Sequence, residues 1–159
     1  MKMDVFKKYL DANFDLELLY SFLLYFTVPR FMKEEEFSED DAAEAIKLFM
    51  DKCLERAQKL NQQDHPKEKI DRTAGSDKDF LRGAGFYEPN TELFLTRIIQ
   101  RLAVSIEMRH INYSSDEDPE ISTKRIKRII GEWHHLKAVE LQTFFEGRRS
   151  VQKWGERHT

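Results

Sequence analysis

Cysteine occurs once, at Cys53, so no disulfide can form within the chain. Proline and glycine are also scarce, with four and six in 159 residues, which excludes collagen-like and Pro-rich low-complexity classes. No apolar run reaches the roughly 20 residues that a membrane-spanning helix requires. The most apolar stretch, Phe14–Val28, has 11 apolar or aromatic residues in 15; Asp4 and Asp11 precede it, and Asp15 stands at its start, where a secretory leader would carry positive charge. The expectation is a reduced, cytoplasmic protein with no membrane contact. Net charge is small, with 26 Lys+Arg against 29 Asp+Glu giving −3. Twelve Phe, five Tyr and two Trp within a 40% hydrophobic composition are enough to build a core, which separates this chain from disordered ones. Its length fits a single domain spanning 1–159.

What remains is helical periodicity. No segment alternates with period two, and no repeat of 20–50 residues is present. A leading piece, Asp4 to Asn13, places Val5, Phe6, Tyr9 and Leu10 on one side. A first full helix is expected over Leu16–Val28, with Asp15 as N-cap and Pro29 beyond its end. A second is expected after Ser38, where Ser38 and Asp41 have the spacing of a capping box. Its apolar residues Ala42, Ile46, Phe49, Met50, Cys53, Ala57 and Leu60 hold a 3.6-residue stripe for five turns. Lys47–Asp51 and Glu55–Lys59 have i,i+4 ion-pair spacing on its outer side. Cys53 lies in the stripe and reads as a core thiol.

Residues 61–90 contain three of the six glycines and two of the four prolines, and form one long ordered loop by this reading. A turn of helix is expected near Asp77–Arg82, capped by Ser76. Phe80, Leu81, Phe86 and Tyr87 would pin it to the body, and the aromatics Phe80, Phe86 and Tyr87 are loop contact candidates. A third helix, from Asn90 or Thr91 to about Ile111, is apolar on several sides and reads as the central one. A fourth opens at Asp118-Pro119-Glu120. Its inner face is Ile126, Ile129, Ile130 and Trp133, continuing in shifted register through Leu136, Val139, Leu141, Phe144 and Phe145, with a kink or break near Gly131–His135. The fold expected is an all-α, single-domain bundle of four to six helices.

Charge is unevenly placed along the chain. Residues 1–60 carry a net −4, residues 61–120 a net −4 and residues 121–159 a net +5. The basic C-terminal region 121–159 includes Lys124, Arg125, Lys127, Arg128, Arg148, Arg149 and Lys153, with Trp154 nearby as a stacking surface. Lys124, Arg128 and His135 fall within about 40° on an ideal helix, opposite Ile126 and Trp133. Such a face can engage an acidic protein surface or the phosphates of nucleic acid. In a homodimer it would meet the acidic body of a second copy.

Two constellations hold catalytic residue types. Glu107/His110 and Glu132/His135 are both Glu-x-x-His pairs on expected helices, the spacing that directs two ligands at one metal. With Glu17 and Glu44 added they would compose the ligand set of a ferritin-like di-metal bundle. The segment Arg128-Ile-Ile-Gly-Glu-Trp-His134-His135 resembles the Arg…His motif of the HEPN family of small all-α ribonucleases. That resemblance implies a metal-independent reaction in which Arg128 and His135 orient and activate the RNA 2′-hydroxyl at a dimer interface. The family places a polar residue after the Arg, where this chain has Ile129. Gly83-Ala-Gly85 lacks the Lys-Ser/Thr of a P-loop, and one Cys with dispersed His does not compose a zinc site. The expected function is therefore non-enzymatic: a helical interaction or regulatory protein that acts through its basic face and needs no cofactor. The ribonuclease and the di-metal bundle are the alternatives.

Overall fold

The computed structural model describes residues 2–12, 14–27, 39–62, 74–86, 91–113 and 119–147. Among these, every regular element is helical: α1 Lys2–Asp11, α2 Leu16–Thr27, α3 Glu39–Gln62, α4 Ala74–Gly83, α5 Thr91–Tyr113, α6 Pro119–Leu136 and α7 over 138–147. That is an all-α bundle around one apolar core. Seven stretches replace the four to six expected because the chain is interrupted at Lys137 and resumes at once. Lys137 N still donates to Trp133 O at 3.0 Å and Leu141 N to Lys137 O at 2.9 Å, so helical hydrogen bonding flanks the interruption on both sides. The helix passes through Gly131, and the break falls after the expected Gly131–His135 interval.

Local chemistry explains the α2 boundary. Leu18 N donates to Asp15 Oδ1 at 2.7 Å, the expected N-cap. The expected boundary residues Pro29, Ser38 and Asp118 lie outside the described residues. α4 begins at Ala74, three residues before the expected turn, and Ser76 lies inside it. Its Phe80 and Leu81 are buried, as is Phe86 just beyond, so these aromatics are core residues and are not exposed for contact. Phe86 meets Phe94 with ring centres 4.0 Å apart. Tyr87 lies outside the described residues.

The central helix is α3, which packs against α1, α2, α4 and α6. Its whole expected stripe, from Ala42 to Leu60, is buried. This corrects the reading of the 91–113 helix as central. α5 packs mainly on α6, and its Val104 and Met108 are exposed at 59% and 54%. The apolar cover on its several sides exceeds the surface its neighbours offer. Lys47 and Asp51 do not pair with each other as their spacing had implied. Lys47 Nζ reaches Glu132 at 3.2 Å, and Asp51 accepts from Trp133 Nε1 at 2.8 Å, both across the α3–α6 seam. Glu55 pairs with Lys52 at 3.3 Å.

One buried polar cluster ties three helices and the connector before α2 together. Asp77 and Arg56 are buried side chains; Arg56 Nη1 donates to Asp77 Oδ2 at 2.7 Å and Nη2 to the Phe14 carbonyl at 3.0 Å. Asp77 Oδ1 accepts from Leu16 N at 2.8 Å. A carboxylate on α4 thus satisfies an N-terminal amide of α2, while an α3 arginine neutralises it.

Candidate functional site

Of the sequence-derived site residues, Lys124, Arg125, Lys127 and Arg128 are described, while Arg148, Arg149, Lys153 and Trp154 lie outside the described residues. On α6 the buried side is Ile126, Ile129, Ile130 and Trp133. The opposite side exposes Lys124, Lys127, Arg128, Gly131 and His135, with Arg125 half-buried at its margin. Helical spacing puts Lys124 and Arg128 one turn apart and His135 two turns further, so the stripe is about 16 Å long. Lys124 pairs loosely with Glu120 at 3.7 Å, both largely exposed, and such a pair adds little stability. Lys127 and Arg128 form no ion pair among the described residues. Exposed aliphatic side chains stand at the two ends of the stripe, Ile121 before Lys124, and Leu136 with Val139 of α7 after His135, the last two at 71% and 77%. Leu136 and Val139 are thus outside the core, in contrast to their expected inner register.

Arg128 and His135 are both exposed on this face, about 10 Å apart along the axis, so they hold no hydrogen bond to each other. Of the residues nominated for a metal, Glu17 pairs with Arg101 at 2.7 Å, Glu44 with Lys7 at 3.2 Å and Glu132 with Lys47 at 3.2 Å. These carboxylates are directed at three different cations. The side chains of Glu107 and His110 lie outside those described. No group of three His, Cys, Asp or Glu able to hold a metal ion occurs among the described residues. Burial, with the negative charge of Asp77 added, pushes the Cys53 thiol far above its usual range, which keeps it protonated and unreactive.

A second polar feature escaped the sequence reading. Arg97, Gln100 and Arg101 on α5 line a cleft with Glu17 and Tyr20 of α2. The one signal in the sequence was the i,i+4 spacing of Arg97 and Arg101, and nothing local joins it to a glutamate 84 positions away. Compared with known protein families, curated proteins and solved structures, the chain matches none.

Proposed function

We propose that the protein is a non-enzymatic helical binding module that engages an acidic protein surface through the outer face of α6. The observation that carries this is the mixed character of the exposed surface along this helix: the cations Lys124, Lys127 and Arg128 are flanked by exposed aliphatics, with Ile121 about one turn before them and Leu136 and Val139 about two turns or more after. A protein partner can cover exposed aliphatic side chains and pair with the cations between them, whereas phosphate backbones offer nothing to cover aliphatic side chains. Glu120 and Glu132 on or beside the same face further disfavour phosphate and are tolerated by a partner that presents both signs of charge.

The test uses a fluorescent acidic amphipathic peptide, a single-stranded RNA and a duplex DNA, each titrated with the intact protein at two salt concentrations. The peptide is expected to bind, to weaken with salt, and to be lost on combined Lys124→Glu and Arg128→Glu. Leu136→Ser with Val139→Ser is expected to weaken the peptide alone. Binding of RNA or DNA that ignores the aliphatic substitutions overturns the protein-partner reading in favour of nucleic acid. Exposure of Arg128 and His135 on one face keeps the ribonuclease as the second reading. RNA cleavage in chelator, abolished by His135→Ala with the fold intact, establishes it.

A further inference from the structure

A cleft of about 520 Å³ opens between α2 and α5 beside Gly83 at the end of α4. Arg101 is its fixed cation. The guanidinium carbon stands 4.4 Å from the centre of the Phe80 ring and 5.1 Å from that of Tyr20, so two aromatic rings hold it in place. Nη2 donates to Glu17 Oε2 at 2.7 Å, whereas Nε is buried with no acceptor. The group is therefore positioned, and because Nε is buried, a ligand in the cleft can meet only the Nη N–H donors, of which one is bonded to Glu17 among the described residues. Arg97, one turn earlier on α5, lines the same cleft and forms no ion pair among the described residues.

The other polar groups define what the cleft can bind. Tyr20 Oη and Ser105 Oγ are 2.6 Å apart, and each is 3.0 Å from the Arg101 carbonyl. Their two protons are used within this triangle, so neither hydroxyl has a donor left for a ligand. The available donors are Arg97, Arg101 and the Gln100 amide, which make the cleft an acceptor-seeking, cationic site. Glu17 already presents a carboxylate to Arg101, so an external carboxylate would replace like with like. A phosphate has nearly two negative charges and three terminal acceptor oxygens against a carboxylate's two, which suits two arginines together.

We infer that this cleft binds a phosphate group, free or carried by a small molecule, bridging Arg97 and Arg101 and displacing Glu17. Glu17 is exposed and acts as a gate: it neutralises Arg101 in the empty cleft and swings out when the dianion enters. The site is separate from the outer face of α6.

Titration of the ¹⁵N-labelled protein with inorganic phosphate, glycerol 3-phosphate, acetate and chloride at matched ionic strength tests this. Saturable amide shifts on α2 and α5 are expected with the two phosphates alone. Tighter binding of glycerol 3-phosphate identifies a phosphorylated small molecule as the ligand class, and equal binding identifies free phosphate. Glu17→Gln is expected to tighten phosphate binding about threefold or more, and Arg97→Ala to weaken it about tenfold, as loss of a charge-assisted contact does. Combined Lys124→Glu and Arg128→Glu is expected to leave it unchanged, which separates this site from the α6 face. Shifts that chloride or acetate reproduces, shifts centred on α6, or indifference to both Glu17→Gln and Arg97→Ala overturn the inference.

Discussion

Arg56 and Asp77 form a buried ion pair, Nη1 to Oδ2 at 2.7 Å, and the second carboxylate oxygen of Asp77 accepts the Leu16 amide at 2.8 Å. Loss of one partner leaves the other charged and without compensation in the interior. Asp77→Ala or Arg56→Ala alone is expected to destabilise the fold by about 3–5 kcal/mol. Combined Arg56→Met and Asp77→Leu is expected to recover much of that loss but not all, because Leu16 N then lacks its acceptor. Urea unfolding of the three variants measures this, and equal losses in single and double variants would refute the pairing.

The same carboxylate has a pH signature. Burial pushes the Asp77 carboxyl above its ordinary value of 3.8, against the lowering effects of the Leu16 amide and of Arg56. The folded chain therefore takes up this proton at higher pH than the unfolded chain does. Its contribution to stability is complete below 3.8 and falls as pH rises through the folded value. The stability difference between wild type and Asp77→Asn is expected to shrink as pH is raised across that interval. A difference that grows instead would show a depressed pKa.

Trp133 is buried in the α3–α6 seam and donates its indole N–H to Asp51. Trp133→Phe is expected to cost about 1–2 kcal/mol through the lost hydrogen bond and reduced packing. Asp51→Ala leaves the indole N–H without its partner and is expected to cost about 1–3 kcal/mol. Lys137 makes only a long, partly exposed contact with Asp51 at 3.6 Å, which adds little to that loss. Thermal unfolding monitored by tryptophan fluorescence and circular dichroism reads both.

Two glycines are expected to respond in opposite directions. Gly85 has φ +81°, and a Cβ there would stand 3.1 Å from Arg97 Cδ and 3.2 Å from Phe94 Cα. Gly85→Ala is expected to destabilise by about 1–3 kcal/mol. Gly131 is exposed inside α6 with open space around its Cβ position, so Gly131→Ala is expected to stabilise by about 0.5–1 kcal/mol. Chemical denaturation midpoints check both signs.

Much of the fold was legible in the residue pattern. The Asp15 cap and the stripe of α3 follow from local rules, since a cap reads three residues and a stripe reads one period. The inner face of α6 followed in the same way. Leu136 and Val139 were misread as inner-face residues, and the third helix as central, because periodicity marks an apolar face without saying whether a neighbour covers it. The candidate α6 stripe was visible as a run of cations opposite an apolar face.

The sequence by itself determined an all-helical chain, the boundary at Asp15, and a basic C-terminal region set against an acidic remainder. Tertiary structure alone decided that α3 is central, that Asp77 caps α2 from 61 positions away, and that Glu17 meets Arg101 across 84. The physical reason is range. Helix propensity, capping and amphipathicity act within a few residues, whereas buried ion pairs and clefts form only where packing brings distant segments into contact, and no local pattern encodes that meeting.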